Sequence, residues 1–117
     1  MINFSISSEL GLDVAVVTPR GYLSDVGARQ LEQAVGQFLD KGFKKLIINF
    51  SDVEFINTVG VSVFNDMLQK ATKHGCRVCF TNMNKLHREV FALTGVTKYV
   101  PVFQDEADAV QYLQATL

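Results

Sequence analysis

Charge of one sign, long apolar runs, cysteine and histidine are all scarce in this sequence, and each scarcity closes off a class of function. Lys and Arg number 11 against 12 for Asp and Glu, a formal net charge of −1, so no long-range field draws the chain to nucleic acid or to an acidic membrane surface. The longest unbroken aliphatic stretch, Val14 to Val17, falls far short of the ~20 residues that cross a bilayer, and no membrane insertion is expected. The opening Met1-Ile-Asn-Phe-Ser5 has no basic start, apolar stretch and small-residue cleavage site, which predicts a cytoplasmic chain in a reducing compartment. With 117 residues and no linker or low-complexity stretch, residues 1–117 are expected to build one domain around one core.

The 2 cysteines, Cys76 and Cys79, have a Cys-x-x-Cys spacing that by itself suggests a thiol redox pair or half of a metal site. Their context argues otherwise. Arg77-Val-Cys-Phe-Thr81 has the composition of a strand, in which positions three apart point to opposite faces, whereas redox pairs sit at a helix N-terminus. His74 and His87 supply no second ligand pair for a tetrahedral site and are expected at the surface. No Ser-His-Asp order and no Gly-rich phosphate loop is present. Asp52 and Glu54 are two apart and would share a face if extended, but an exposed acidic pair needs no catalytic explanation. The chain is therefore expected to be no enzyme and to hold no metal or cofactor.

What is present is alternating periodicity. Ile2, Phe4 and Ile6 alternate with polar residues as in a half-buried strand; a turn at Leu10 to Asp13 leads to Val14-Ala-Val-Val-Thr18, stopped by Pro19, and the two strands are expected to pair as an antiparallel hairpin. After Gly21-Tyr-Leu23, Ser24 or Asp25 can cap a helix to about Lys41, with Leu31, Ala34, Val35, Phe38 and Leu39 on one face and Gly42 at its end. Leu46-Ile-Ile-Asn-Phe50 has the near-continuous apolar character of a central parallel strand. A loop over 51–58 precedes a second helix with Val61, Phe64, Leu68 and Ala71 inward and Gly75 past its end. The cysteine strand follows, then a helix from about Lys85 to Leu93 with Leu86, Val90 and Leu93 inward. A strand from Tyr99 to Phe103 is placed at an edge by Pro101, and a last helix from about Asp105 to Ala115 directs Ala107, Val110 and Leu113 to the core.

A hairpin followed by alternating strands and helices predicts an α/β fold: a mixed, mainly parallel sheet with packed helices and right-handed crossovers. In such folds the loops at the carboxyl ends of strands carry function, which singles out Ser51-Asp-Val-Glu-Phe-Ile-Asn57-Thr58-Val59-Gly60-Val61-Ser62. Phe55 and Ile56 can anchor this loop, Asn57 or Thr58 can cap the second helix, and Gly60 can let a partner's backbone come close. Thr58 is then exposed at a helix start, where a phosphate would face free N–H groups and the positive end of the dipole. The same charge of about −1.5 to −2 would have to be desolvated in a packed contact, so one modification could be tolerated by the fold and expel a partner. By itself Asn-Thr before an apolar helix is first a capping sequence, and Ser62, one turn in, reads as a solvated or back-bonded hydroxyl.

At these residues, and along almost its whole length, the chain resembles the STAS domains of bacterial anti-sigma factor antagonists and of the cytoplasmic parts of sulfate transporters. The family's centre is Asp-Ser-Ser/Thr-Gly plus an apolar residue, after "leucine or valine, x, phenylalanine, aliphatic"; here stand Val53-Glu-Phe-Ile56 and Asn57-Thr58-Val59-Gly60-Val61. Gly21-Tyr-Leu23 is similar to the family's Gly-x-Leu, and Leu93-Thr-Gly-Val96 to its Leu-x-Gly-aliphatic.

The resemblance implies a regulatory protein-binding module. Its partner would be an anti-sigma factor of the serine/threonine kinase type or another signalling protein, bound when the module is unmodified and released by phosphorylation of Thr58. It also implies a contact surface of Asn57, Thr58, Val59, Gly60 and Val61, with Ser24 and Asp25 near it. The chain departs from the family in having Asn57 for Asp, Thr58 for the usual Ser, Val59 for the second hydroxyl, and Ser24 where many relatives have Asp after Gly-x-Leu. Asn57 caps as well as Asp does but lacks the carboxylate that could orient the acceptor hydroxyl. These changes leave open an unmodified STAS scaffold or a subunit of another signalling or transport assembly.

Overall fold

The computed structural model describes residues 4–9, 14–95, 98 and 100–115. Their element order is β1 (Phe4–Glu9), β2 (Val14–Pro19), β3 (Gly21–Leu23), α1 (Asp25–Asp40), β4 (Lys45–Asn49), β5 (Val53–Ile56), α2 (Thr58–Lys73), β6 (Arg77–Thr81), α3 (Lys85–Thr94), β7 (Val102–Phe103) and α4 (Glu106–Ala115). A five-stranded sheet runs in the order β1-β2-β4-β6-β7. The β1–β2 pair is antiparallel and all others are parallel, so the expected hairpin and mainly parallel sheet are both present. Pro101 precedes β7 at the sheet's edge, as expected. Ile2, the side chains of Phe4 and Ile6, the Leu10–Asp13 turn and Tyr99 lie outside what the structure describes.

Two apolar layers follow from the strand period. Ala15, Val17, Leu46, Ile48, Val78 and Phe80 face α1, α2 and α3, whereas Val14, Val16, Ile47 and Cys79 face α4 through Ala109 and Leu113. The first layer is built around Phe50, Phe64, Phe80 and Phe91, all fully buried. Their ring centroids lie 5.1 to 5.8 Å apart, a spacing at which each aromatic pair adds ~0.5–1.5 kcal/mol beyond area burial. In α1 and α2 the expected inward residues are the ones that pack: Leu31, Ala34 and Val35 in α1, and Val61, Phe64, Leu68 and Ala71 in α2, are buried. Gly42, Gly75 and Gly95 follow their helices at φ of 90°, 76° and 76°, the left-handed geometry that closes a helix without a Cβ penalty.

Three expectations are corrected. In α3 the buried residues are His87 and Phe91, while Leu86 and Leu93 are 47% and 90% exposed; the helix turns toward the core the face that carries the Phe91 ring and a fully hydrogen-bonded imidazole. In α4 the helix starts one residue later, after Asp105 Oδ1 accepts the N–H of Asp108 at 2.9 Å, and Ala109 and Leu113 are buried with Ala107 exposed. The expected loop over 51–58 contains β5, which pairs in parallel with β3 as a separate two-stranded sheet. Among the described residues no helix is long and apolar enough to cross a membrane.

Candidate functional site

The β3–β5 pair brings two helix starts to one end of the molecule. Because the pairing is parallel with Leu23 opposite Ile56, Ser24 and Asn57 leave it side by side, each as the N-cap of the next helix. The two caps differ. Asn57 Oδ1 accepts the N–H of Gly60 at 2.7 Å, whereas Ser24 makes no side-chain cap bond. The Leu23 carbonyl ties the two starts together by accepting the Asn57 N–H at 3.2 Å.

Thr58 is the first residue of α2 and is exposed. Its own N–H and that of Val59 have no protein acceptor among the described residues, as the first turn of a helix leaves them. The first turn of α2 contains no acidic residue, so with a neutral asparagine as cap the positive end of this helix is uncompensated. By contrast Asp25 offsets the start of α1. Ser62 Oγ donates back to the Thr58 carbonyl at 3.3 Å, the back-bonded state expected for it.

Exposed apolar side chains stand on the elements that meet here. Val59 is 54% and Val26 61% exposed in the first turns of α2 and α1. Tyr22 and Phe55, cross-strand partners in β3 and β5, are 47% and 42% exposed with ring centroids 4.9 Å apart. The register shift between Gly21 and Tyr22 leaves Glu54 as the extra residue and brings these rings opposite each other. Phe55 is therefore no anchor for the segment; the buried residues there are Val53 and Ile56. Neither Tyr22 nor Phe55 was a candidate on sequence grounds, since the strand pairing that juxtaposes them is too short to leave a period.

Of the expected contact residues, Asn57, Thr58 and Val59 with Ser24 and Asp25 reach the surface at least in part, while Gly60 and Val61 are buried. Gly60 serves the protein's own packing: a Cβ there would clash with the Leu23 carbonyl oxygen and lie 3.2 Å from Asn57 Oδ1. The backbone that approaches this glycine belongs to β3 and not to a partner. Val61 points into the first apolar layer, since it is the residue that begins the inward stripe of α2.

His87 is the unexpected member of this region. It is 1% exposed, the opposite of the surface position expected, because both ring nitrogens are satisfied: Nδ1 accepts the N–H of Asn84 at 3.2 Å and Nε2 lies 3.0 Å from the Val53 carbonyl oxygen. A carbonyl only accepts, so Nε2 carries the proton and the ring is neutral. Burial lowers its pKa from 6.5, while the bond to Val53 opposes that shift. His74, by contrast, is exposed at the end of α2. Asp52, just before β5, pairs with Arg20 at 3.1 Å, and Glu54 is exposed. The cysteines are buried in different layers, Cys76 in the first and Cys79 in the second, and desolvation pushes each thiol up to about 11.

The sequence profile of the STAS domain matches residues 6–109. The chain belongs to the STAS domain family. A Thermotoga neapolitana protein that carries the provisional name of anti-sigma factor antagonist is 24% identical over 103 residues, 87% of this chain and 91% of the relative. The crystal structure of an anti-sigma factor antagonist from Mycobacterium paratuberculosis superposes with a TM-score of 0.83 at 26% identity, covering 97% of this chain and 95% of that one. The Bacillus cell fate determinant SpoIIAA in its phosphorylated form superposes with a TM-score of 0.73 at 18% identity, covering 95% and 99%, a likeness of fold. The STAS domain described here thus has the fold of anti-sigma factor antagonists, in a family of regulatory binding modules.

Proposed function

We propose that residues 1–117 act as one regulatory STAS domain that docks an anti-sigma factor of the serine/threonine kinase type through the start of α2, and that phosphorylation of Thr58 releases it. The observation that carries this reading is exposed Thr58 at the first position of α2, next to exposed Val59, with Val26, Tyr22 and Phe55 exposed on α1, β3 and β5.

The two states differ by a local electrostatic change. In the bare state the Thr58 hydroxyl is uncharged and stands next to exposed Val59, and a partner can cover the pair at little desolvation cost. A phosphate adds about −1.5 to −2 of charge, which the unpaired N–H groups and the dipole of α2 can hold in water. A partner packed over Val59 would have to strip that charge of solvent without compensating it. Asn57 in place of the family's Asp supports the same outcome, since no fixed carboxylate repels the incoming phosphate. The domain's part is binding, and the phosphoryl group comes from the partner's ATP.

Incubation of the purified domain with ATP and each kinase-type anti-sigma factor of its source organism tests the assignment. One phosphate located on Thr58 by peptide mass spectrometry is expected with the cognate kinase, and none on the T58V variant. An unchanged mass with every such kinase would contradict the switch and return the domain to the role of an unmodified scaffold.

A further inference from the structure

His87 joins elements that are distant in sequence. Its Nδ1 closes a capping box at the start of α3, in which Asn84 Oδ1 accepts the His87 N–H at 2.8 Å and the ring accepts the Asn84 N–H in return. Its Nε2 holds the Val53 carbonyl, 34 residues away, and its ring packs on Phe50 with centroids 5.5 Å apart. Val53 is the first residue of β5, and β5 runs into Asn57 and Thr58 with no residue between. β5 pairs with the three-residue strand β3, packs on α3 and buries Val53 and Ile56 in the first apolar layer, and the imidazole adds a side-chain bond at its first residue.

We infer that His87 is a positioning residue for the Thr58 surface, a clamp that joins the start of α3 to β5 as long as its ring is neutral and is driven from its buried site when the ring takes a second proton. The second proton leaves the Nε2–H to Val53 in place and even strengthens that bond; what it breaks is the contact at Nδ1, and what expels the ring is burial, the larger of the two opposing effects. A proton on Nδ1 would face the Asn84 N–H, donor against donor, at the distance where a hydrogen bond now stands. The cap of α3 opens, and the ring, now charged, is no longer stable under Phe50. Among the described residues no ionised group bonds to the ring: Lys85, Arg88 and Glu89 on α3 and Glu54 on β5 are exposed, and Asp52 is engaged by Arg20. Burial acts in the same sense by keeping the ring deprotonated through the neutral range. The consequence for docking rests on the function proposed above; the clamp itself does not.

The test is an NMR titration of the ¹⁵N-labelled full chain from neutral pH downward. At neutral pH the His87 ring is expected to report the Nε2–H tautomer. As the pH falls, the ring and the amides of Asn84 and of residues 54–58 are expected to move together with one midpoint below 6.5. The H87Q variant offers an amide acceptor and donor but takes no proton, and its 54–58 amides are expected to hold still across the same range. Should H87Q not fold, the wild-type titration decides alone. An Nδ1–H tautomer, or 54–58 amides that stay in place while His87 titrates, would overturn the clamp. With a kinase that modifies Thr58, affinity is expected to fall several-fold across the same midpoint in wild type and to stay flat in H87Q. A missing kinase removes the docking reading and leaves the amide shifts to decide.

Discussion

The α-carbon of Gly60 lies against the carbonyl oxygen of Leu23 so closely that a Cβ at position 60 would clash with it. The same oxygen accepts the Asn57 N–H at 3.2 Å. One backbone atom of β3 therefore sets both the position of the α2 start and the identity of the residue one turn in. The surface around Thr58 inherits its shape from this approach.

Gly60→Ala is expected to destabilise the domain by ~1–3 kcal/mol, the range for inserting a methyl where no room exists, because the obstacle is backbone and cannot rotate away. Chemical denaturation measures it. Gly36, which has open space around it in the middle of α1, provides the contrast: Gly36→Ala is expected to stabilise by about 0.5–1 kcal/mol.

Asn57→Ala removes the acceptor of the Gly60 N–H and is expected to cost about 1 kcal/mol. Asn57→Asp keeps the cap and adds a negative charge at the uncompensated helix start, which should stabilise the bare protein by ~0.3–1 kcal/mol. The same carboxylate would repel a phosphate on Thr58. The difference in denaturation midpoint between phosphorylated and bare protein should then shift toward the bare form in N57D relative to wild type.

How much of this was legible in the sequence depends on the length of the signal. The 16-residue helices α1 and α2 show their inward stripes over four turns, and the strands β2, β4 and β6 declare themselves as apolar runs. β5 did not, because four residues paired to three across a bulge carry no period of their own, and their burial pattern is set by β3. In α3 the leucines suggested the wrong face: hydrophobicity alone ranks Leu86 and Leu93 above His87, and only the carbonyl of Val53 and the N–H of Asn84 make the imidazole a core residue. The exposed position of Thr58 at a helix start was legible because capping chemistry is local in sequence. The pairing of Tyr22 with Phe55 was not, because it is set across two strands.

Phe55→Ala separates docking from folding. The ring is 42% exposed and its partner Tyr22 47% exposed, so the change is expected to cost the fold no more than ~1 kcal/mol. Partner affinity should fall about tenfold or more, as for an aromatic anchor in a contact. Comparing the denaturation midpoint with titration calorimetry against the partner distinguishes the two.

His87 also predicts how stability depends on pH. Its folded pKa lies below the ordinary 6.5, so between these two values the unfolded chain binds more protons than the folded one, and stability rises with pH. The contribution is complete above about 6.5 and is lost as the pH falls toward the folded pKa. Thermal melts at a series of pH values should show this decline in wild type, and H87Q should lack that component of it.

The central claim is that a bare hydroxyl at Thr58 permits docking and a charge there forbids it, and the direct measurement is the affinity of a kinase-type anti-sigma factor for T58A and T58E side by side. T58A is expected to bind as the unmodified protein does, and T58E to lose the complex while melting no lower than the unmodified protein, since its charge suits the start of α2. Equal affinity of the two variants would contradict the account.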